Sequence, residues 1–581
     1  MCSGRFAYQP PPGWLPGTPP LILHNPYMRP GTGDTPGVPV VYGDLRAGPH
    51  TGGKRTMGEP ERNDGLPGVA ESYWVATSPE TGFPPLDGDG RVDVTVIGGG
   101  IAGITTAFLL KRAGLTVALL DADRIVKGAT GYTTAKITSL HRLIYRDLID
   151  RDLIDRDLID RFGSTKARQY ADANQAGIEM IASLVREYNI PCSFKRKPAY
   201  TYAESEDSRD LVAAEVDAAR SLHLPAAFVD DVPLPGRTYG AVILENQAQF
   251  HPRNYLLLLA GHLPGEGSYI FEMTRALGIE EQDDGVRVRT DQGSLSSDYA
   301  VLATHYPIYD RPGSYFARMR ASRSYALGIR INEPFPDGIF INADGPVHSW
   351  RSQPAASDSE LVIVTGEAHG TGKVTDTRAH YRRLEEYARS VYLERIVDYH
   401  WSAQDYITAD RVPYIGPLAE GHDRIFVATG FGKWGMAAGT AAGMILADLI
   451  RGRASPWAEV FDPARFGEQP EYPGWVQKSL QSVGGTIEVN ASWFDREVAT
   501  IPPREGKVIE TDGQKVAVYR DGHATLHTLD PTCMHMACTV AWNNAEKSWD
   551  CPCHGSRYDA YGRVIGSPTV KDLAEKEVVR R

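Results

Sequence analysis

Cysteine is scarce in this sequence, with only six among 581 residues. Small secreted domains held by several disulfides are far richer in cysteine, so that class of protein is excluded and a reducing, cytoplasmic location is expected. Four of the six cysteines lie between Cys533 and Cys553. We expect the other two, Cys2 and Cys192, to be ordinary thiols.

The sequence also lacks an excess of positive charge and any long hydrophobic run. Its 61 Lys and Arg are outnumbered by 73 Asp and Glu, for a net charge of −12, which argues against nucleic acid and anionic membranes as general partners. No stretch has the roughly 18 apolar residues of a membrane-spanning helix, so no transmembrane segment is predicted. Residues 1–20 lack a basic region followed by an apolar run, so no secretory signal is predicted. This length is typical of a soluble enzyme of about three or four domains.

Regular apolar periodicity is missing from residues 1–70, which are rich in proline and glycine. Such a composition buries too little apolar surface to offset the entropy lost on folding, and it predicts a disordered N-terminal extension. Order is expected to begin near Glu71. Met57 is therefore an alternative translation start to Met1.

The sequence Arg-Asp-Leu-Ile-Asp occurs three times in succession from Arg146 to Asp160. Acid-before-base pairs four residues apart, such as Asp147 with Arg151, support a solvated helix. We interpret the repeat as a lengthened surface helix, and a specific interaction role is the alternative.

The most informative feature that is present is a pair of short Cys-His motifs near the C-terminus. Cys533 and His535 form the first motif, and Cys551 and His554 form the second. Two thiolates and two imidazoles are the ligand set of a Rieske [2Fe–2S] centre, in which two Cys hold one iron and two His hold the other. A four-ligand zinc site also uses Cys and His and is the alternative. It is less favoured because zinc does not need the second cysteine pair or the Gly-Ser-x-Tyr stretch after His554.

Residues 92–121 have the pattern of a dinucleotide-binding unit. An apolar run leads directly into a glycine-rich turn, a predicted helix and a second apolar run. Gly98, Gly100 and Gly103 permit a tight turn and close approach to a pyrophosphate at the helix N-terminus, and Asp121 follows at the spacing of an acid that binds a ribose hydroxyl. A chance cluster of glycines is the alternative.

A second glycine-rich string, Gly430-Phe431-Gly432-Lys433-Trp434-Gly435, also follows an apolar strand and precedes a helix. No strand ending in an acid follows that helix, so the string is not interpreted as a second dinucleotide site. With one complete fingerprint, no separate NAD(P)H domain is predicted.

Residues 72–455 resemble flavoproteins of the D-amino-acid oxidase and glycine oxidase type. The resemblance rests on the glycine fingerprint and on further segments, which are Gly128-Ala129-Thr130-Gly131, Val301-Leu302-Ala303-Thr304 and Pro413-Tyr414-Ile415-Gly416 with the later Gly430-Phe431-Gly432. It implies an α/β (α+β) fold, in which a Rossmann-like domain binds FAD and an inserted mixed sheet faces a small-molecule substrate.

The same resemblance implies further contacts with FAD beyond the fingerprint. Thr133 and Thr134 lie in the turn that follows the second strand. Gly430 and Gly432 bring a helix N-terminus to the pyrimidine end of the flavin, where it stabilises charge on the reduced ring. The chain departs from the amine oxidases at this turn after the second strand, where Tyr132-Thr133-Thr134-Ala135-Lys136 replaces a Ser-Gly-Arg-Asn-like segment.

Residues 485–581 resemble Rieske domains of the respiratory, high-potential kind. Ring-hydroxylating Rieske oxygenases usually lack the additional cysteine in each loop, whereas this chain has Cys538 and Cys553. In the resembling proteins these two cysteines form a disulfide that clamps the cluster loops together.

The Rieske resemblance also implies residues that tune the cluster. In the resembling proteins the hydroxyls at the positions of Ser556 and Tyr558 bond to a bridging sulfide and to a ligand sulfur, and they raise the potential. The chain departs from the family at Met536-Ala537, where Leu-Gly is usual. Alanine is unfavourable there if the backbone needs a positive φ.

The two resemblances together divide the chain into four parts. These are a disordered extension (1–70), an FAD module (71–460), a linker (461–484) and an all-β Rieske domain (485–581). Within the FAD module, the dinucleotide-binding core is expected over about 90–185 and 400–455, and the substrate-facing sheet over about 190–400.

Hydride transfer from a neutral donor to a flavin needs little acid–base chemistry from side chains, so the lack of an obvious catalytic triad is no objection. Arg351 and Lys433 are the candidate catalytic residues. Amino-acid oxidases pair an arginine with the substrate carboxylate, and a surface arginine is the alternative for Arg351. The remaining histidines singled out, His251, His305 and His369, are interpreted as structural.

A two-electron cofactor paired with a one-electron cofactor predicts an electron relay. The leading hypothesis is an FAD-dependent oxidoreductase that oxidises a small amine, amino acid or hydroxy compound. It would pass electrons singly through the cluster to an external carrier such as ferredoxin, a cytochrome or a quinone. A reductase fed through the cluster is the alternative, and a non-enzymatic redox sensor is the second alternative. Ser556 and Tyr558 favour the first, because a raised cluster potential draws electrons from the flavin.

Overall fold

The computed structural model describes residues 65–149, 163–355, 360–466, 483–511 and 513–581. Most of the predicted N-terminal extension, linker and Arg-Asp-Leu-Ile-Asp repeat lie outside the described residues. Where the description starts, Val69 already pairs with Tyr399 in a parallel bridge. Packing therefore begins slightly before Glu71, the predicted position.

The predicted strand-turn-helix-strand unit forms the centre of a six-stranded sheet, which we call the nucleotide sheet. Its two strands in that unit are buried at every position, as expected for continuous apolar runs in a parallel sheet covered on both faces. The strand order is Tyr414–Pro417, Ile425–Thr429, Tyr299–Leu302, Val94–Ile97, Val117–Leu120 and Tyr269–Phe271. All neighbours run parallel except the first pair.

Two helices, Ile101–Arg112 and Gly435–Ile450, pack against each other and against the nucleotide sheet. Small residues allow their close approach, since a Cβ on Gly443 would lie 2.6 Å from Cγ2 of Thr105. Each helix begins directly after one of the two glycine-rich turns. The other described helices of the module are Tyr73–Ala76, Ile144–Ile149, Gly163–Glu187, Arg209–Ser221, Pro252–Gly261, Arg378–Val391 and Ala458–Phe461.

A mixed sheet of nine strands, which we call the large sheet, forms the second layer of the FAD module. Its strand order is Arg395–Thr408, Met319–Ile331, Glu360–Gly370, Ser349–Pro354, Ile339–Asn342, Lys195–Tyr202, Ala241–Gln249 and Lys136–Ile137, with Ala226–Val229 also pairing to Ala241–Gln249. A smaller sheet of Gly90–Arg91, Ser294–Ser297, Gly285–Thr290 and Ala276–Gln282 adjoins the nucleotide sheet.

The two faces of the large sheet differ in chemistry. One face packs on the helix Arg378–Val391 through an apolar core that includes Trp350 and Val364. Side chains alternate between faces along a strand, so the adjacent positions Ser349 and Thr365, which are paired in register, lie on the opposite face. The large sheet therefore has one apolar face, covered by the helix, and one face that carries polar side chains.

The C-terminal domain is built from short strands and one helix. The helix Ala491–Ala499 amends the all-β prediction, and it forms because Asn490 caps it by accepting the Trp493 backbone N–H at 3.0 Å. Phe494 and Val498, four residues apart, bury one side of it. The strands are Thr486–Val489 with Glu577–Arg580, then Glu505–Thr511, Gln514–Arg520 and Leu526–Leu529, then Ala541–Asn543, Ser548–Asp550, Arg557–Asp559 and Val564–Gly566.

These layers confirm the predicted fold class, a nucleotide-binding α/β domain with a mixed sheet and a small C-terminal β domain. Across the described ranges, no helix has the length and apolar character needed to cross a membrane.

Candidate redox site

The first glycine-rich turn has no space for a side chain at three of its positions, Gly98, Gly99 and Gly103. Gly98 has a φ of 110°, and a Cβ there would lie 2.3 Å from the carbonyl oxygen of Ala303. A Cβ on Gly103 would lie 1.9 Å from the carbonyl oxygen of Gly98. At Gly100 a Cβ would meet only Oγ1 of Thr130, at 3.2 Å. Gly100 therefore keeps an open surface above the turn that a side chain would fill.

Asp121 lies at the end of the neighbouring strand, beside this turn. Its Oδ2 accepts the N–H of Gly99 at 2.8 Å, and its Oδ1 accepts the N–H of Asp123 at 2.9 Å. Burial raises the pKa of Asp121 to about 6, although those two hydrogen bonds act to lower it. A glycine cradle at a helix N-terminus with an acid beside it fits the pyrophosphate and ribose of a dinucleotide.

Arg351 is buried and holds the turn that carries Thr133 and Thr134. Its Nη1 donates to the carbonyl oxygens of Thr134 at 3.1 Å and Ala135 at 2.9 Å. Trp74 lies under the guanidinium, with its ring centroid 5.3 Å away, and donates its Nε1–H to the Thr133 carbonyl at 2.6 Å. The interpretation of Arg351 as the partner of a substrate carboxylate is therefore corrected, because its donors are already used inside the protein and position the turn.

The second glycine-rich turn faces the large sheet. Gly430 has a φ of 75°, and the N–H of Gly432 donates to the carbonyl oxygen of Tyr406 at 3.0 Å. Lys433 has a φ of 77°, and its Nζ donates to Oγ of Ser324 at 2.6 Å. Lys433 thus reaches the polar face of the large sheet from the turn that precedes the helix Gly435–Ile450.

A second lysine, which the sequence analysis did not single out, meets the same face. Nζ of Lys136 donates to Oγ of Ser349, which also bonds Oγ1 of Thr365 at 2.6 Å. Burial, with smaller contributions from the charges of Arg351 and Lys433, lowers the pKa of Lys136 to about 7. Its hydroxyl partner is 213 positions away in the chain, so no local pattern could have revealed this contact.

The four predicted cluster ligands lie together in the C-terminal domain. Cys533 and Cys551 are buried thiols, and a hydrogen bond from Cys551 is the main cause that lowers the pKa of Cys533. The rings of His535 and His554 are 5.0 Å apart. Both Nδ1 atoms are buried, and that of His554 has no hydrogen-bond partner in the described part of the chain. Buried polar atoms are rarely left without a partner, so this donor set fits a [2Fe–2S] cluster.

The structure also places the predicted disulfide and the predicted cluster-tuning residues in the C-terminal domain. A disulfide joins Cys538 to Cys553 and links the two loops. The Tyr558 hydroxyl donates to Sγ of Cys533 at 3.4 Å. The hydroxyl of Ser556 is buried, and a hydrogen bond from it is one of the causes that lower the pKa of Cys533.

The outer edges of the two histidines contact the FAD module. Nε2 of His535 donates to Oδ2 of Asp310 at 3.1 Å, and the two side chains are only 9% and 6% exposed. Burial lowers the pKa of His554 to about 4, and a hydrogen bond with the Phe316 backbone opposes that shift. Tyr306 packs edge-on to the His535 ring, with centroids 5.8 Å apart. No local pattern in the sequence marks Asp310, because 225 positions separate it from His535.

A second contact region holds the two modules together away from the cluster. Arg323, whose side chain is 2% exposed, pairs with Glu546 at 3.3 Å. The Tyr381 hydroxyl donates to the same carboxylate at 3.0 Å, and the Thr377 hydroxyl donates to Oδ1 of Asn543 at 2.7 Å. These contacts fix the C-terminal domain against the large sheet and its helix through charges and hydrogen bonds.

Comparisons with known proteins match two families along the chain. Residues 93–449 match the family described as FAD dependent oxidoreductase, and residues 493–577 match the Rieske [2Fe-2S] domain. The chain is 35% identical over 505 residues to a Bacillus subtilis protein described as Rieske 2Fe-2S iron-sulfur protein YhfW, and the match covers 87% of this chain and 97% of that protein.

Two more distant similarities concern the FAD module. Gamma-glutamylputrescine oxidoreductase from Escherichia coli is 22% identical over 415 residues, which are 69% of this chain and 92% of that protein. The solved structure of glycine oxidase from Geobacillus kaustophilus superposes with a TM-score of 0.52 at 18% identity, covering 66% of this chain and 100% of that one. The second similarity is one of fold alone.

Proposed function

This chain belongs to the FAD dependent oxidoreductase family and carries a Rieske [2Fe–2S] domain, and from that premise we propose that it oxidises a small amine or amino acid bearing a carboxylate and delivers the electrons singly to an external carrier. Its cofactors are FAD and a [2Fe–2S] cluster. FAD supplies an acceptor for the two electrons of a hydride, and the cluster carries one electron at a time. The zinc alternative is withdrawn, because the Rieske match spans all four ligands.

The observation that carries the proposal is a single residue that contacts both sites. The backbone carbonyl of Tyr406 accepts the N–H of Gly432, in the turn next to the predicted flavin position. The hydroxyl of the same Tyr406 donates to the Ser567 carbonyl of the Rieske domain at 2.9 Å. Its ring packs against that of Tyr306, at 5.0 Å between centroids, and Tyr306 in turn contacts His535. A fixed, packed path of this kind supports electron exchange within the chain.

Two lysines on the polar face of the large sheet support a substrate that bears a carboxylate. Lys433 is held by Ser324, and Lys136 is held by Ser349. Ammonium and hydroxyl donors on one face can bind a carboxylate through charge-assisted hydrogen bonds. We propose that Lys433 takes this role.

Lys136 is proposed to act on the other end of the substrate. Hydride leaves readily from carbon only when the adjacent amine is neutral, so a proton must first leave the substrate ammonium. Lys136 has a pKa lowered to about 7, so near neutral pH its Nζ is able to accept that proton. The rate constant kcat/KM should then rise with pH through about 7, because Lys136 is deprotonated above that value.

Anaerobic mixing of the purified protein with a panel of small molecules tests the substrate class. Amino acids, the matching amines without a carboxylate, and hydroxy acids would be compared by the bleaching of the flavin absorbance. We expect bleaching by a carboxylate-bearing amine and slower bleaching by its decarboxylated analogue. Equal rates for the two would contradict the carboxylate requirement.

Substitution of the lysines tests their separate roles. Lys433→Met should raise KM by about tenfold or more with FAD content unchanged, since a charge-assisted hydrogen bond is worth about 1.5–3 kcal/mol. Lys136→Met should lower kcat and remove the rise through pH 7. Lys166→Met, which alters a partly exposed lysine paired with Glu459, is the control. A KM for Lys433→Met equal to that of the control would remove Lys433 from the site.

A further inference from the structure

In the two predicted histidine ligands, the two ring nitrogens have different surroundings: Nδ1 is the inner nitrogen and Nε2 is the outer one. The Nδ1 atoms are buried, as expected for atoms that bind iron. The outer nitrogen of His535 is bound by a carboxylate. A metal-bound histidine is usually oriented by a partner on its other nitrogen, and that partner tunes the metal. Here the partner, Asp310, comes from the other module of the chain.

Asp310 is itself held firmly in place. Its Oδ2 accepts hydrogen bonds from the Tyr306 hydroxyl at 2.9 Å and from the His535 N–H. Its Oδ1 accepts a hydrogen bond from the Phe316 N–H at 3.3 Å. Its backbone carbonyl accepts the Ser314 N–H at 2.8 Å. A buried carboxylate with several donors is fixed in position, so it can fix the ring that it binds.

We propose that Asp310 is a positioning residue for the cluster, contributed by the FAD module, which orients His535, lowers the potential of the cluster and closes its histidine edge to external carriers. The carboxylate adds negative charge next to a site that becomes more negative on reduction, so it disfavours the reduced state. The His535 side chain, covered by this contact, is only 9% exposed. An external carrier must therefore approach by another side.

The disulfide side of the cluster loops is the open alternative. Cys553 is exposed, although the ligand Cys551 two residues before it is buried. Electrons that leave the chain would thus pass on the side of the disulfide, and electrons exchanged with the flavin would pass on the side of the histidines. The inference rests on the cluster assignment and is independent of the substrate and of the direction of flow.

The substitution Asp310→Asn tests the effect on potential in the holoprotein. It removes the charge and keeps the size, so the one-electron midpoint potential should rise by the equivalent of about a tenfold change in equilibrium constant, or 59 mV. Asp310→Glu should stay near the parent value. Asp298→Asn, which removes an exposed carboxylate of the same module, should not change the potential. An unchanged potential in Asp310→Asn, with a normal Rieske signal in electron paramagnetic resonance, would overturn the proposal.

A second measurement on the unaltered holoprotein does not depend on any variant folding. Diethyl pyrocarbonate modifies accessible imidazole nitrogens, and His523 is exposed in the same domain, so it serves as an internal control. Mass spectrometry of the oxidised protein should show modification of His535 at least tenfold slower than that of His523. Equal rates at the two histidines would show that the histidine edge is open and would contradict the proposal.

Discussion

The nucleotide turn and the cluster site differ in how far along the chain their defining contacts reach. Most contacts of the turn are short in sequence, since Gly103 approaches the carbonyl of Gly98 and the side chain of Asp121 accepts the Gly99 N–H, and one longer contact brings Gly98 against the carbonyl of Ala303. The cluster ligands also come from two short loops, but their outer edge is covered by a residue 225 positions from His535. A site made by local contacts is recognised from spacing, whereas a site completed by docking of two modules is only partly recognised in that way.

If the turn is defined by close backbone contacts, one added methyl group should be enough to impair FAD binding. Gly103→Ala places a Cβ 1.9 Å from a carbonyl oxygen, and overpacking of this kind costs about 1–3 kcal/mol or more. We expect FAD content to fall at least tenfold. Gly100→Ala, whose Cβ would meet a hydroxyl at 3.2 Å, is the matched control and should retain most FAD. Equal FAD in the two purified variants would show that the turn is not constrained in this way.

The local part of the cluster site is tested by the disulfide. Cys538→Ser opens a loop of 15 residues, which corresponds to about 3 kcal/mol in the chain-entropy account. The four ligands stay in place, so the cluster should form but be lost at a lower urea concentration, followed by its visible absorbance. Cys192→Ala, a buried free thiol of the FAD module, should leave the midpoint of cluster loss unchanged. The same midpoint in both variants would mean that the clamp does not stabilise the cluster.

The long-range part is tested at the interface between the modules. Glu546→Gln leaves Arg323 buried without its ion-pair partner, and breaking a buried pair costs about 3–5 kcal/mol. Glu546 is 24% exposed, so we expect a smaller loss of about 2 kcal/mol, measured as a lower midpoint of thermal unfolding. Asp298→Asn breaks a pair whose side chains are 59% and 44% exposed, and it should cost at most about 1 kcal/mol. A larger loss for Asp298→Asn than for Glu546→Gln would contradict the claim that the Arg323–Glu546 pair stabilises the interface between the modules.

The smallest expected effect concerns the backbone of the first cluster loop. Ala537 has a φ of 56° at a position where the resembling family usually has glycine. A left-handed conformation costs an L-residue about 1–2 kcal/mol, and the greater entropy of glycine offsets about 0.5–1 kcal/mol of the gain. Ala537→Gly should therefore delay cluster loss in urea slightly.

A matched control for that change is Ala524→Gly, in a turn of the same domain where φ is 66°. It should stabilise the domain by a similar amount. The urea concentration at which the cluster is lost should shift only as far as this gain in domain stability accounts for. A destabilising effect of Ala537→Gly would show that the strain at this position is not relieved by glycine.

Whether a feature was predictable from the sequence depended on how far apart in the chain its contacting residues lie. The glycine fingerprint and the Cys-His motifs are short spacings that the sequence displays directly, and the fold class was implied by the family resemblances that these motifs carry. Arg351 was misjudged because a sequence does not show that its donors are used by Thr134 and Ala135. Lys136 and Asp310 were missed because their partners lie 213 and 225 positions away. The helix Ala491–Ala499 was missed although its Asn490 cap is a local signal.

The central claim is that electrons enter at the flavin and leave through the cluster. Anaerobic stopped-flow mixing with a substrate found in the panel tests it directly, by following the flavin and cluster absorbance in the same reaction. The account predicts that the flavin bleaches first and that the cluster bands bleach afterwards, at a rate that does not depend on substrate concentration. If no small molecule bleaches the flavin, and the flavin bleaches only after a reduced ferredoxin has first reduced the cluster, the protein is the reductase of the alternative hypothesis and the claim is contradicted.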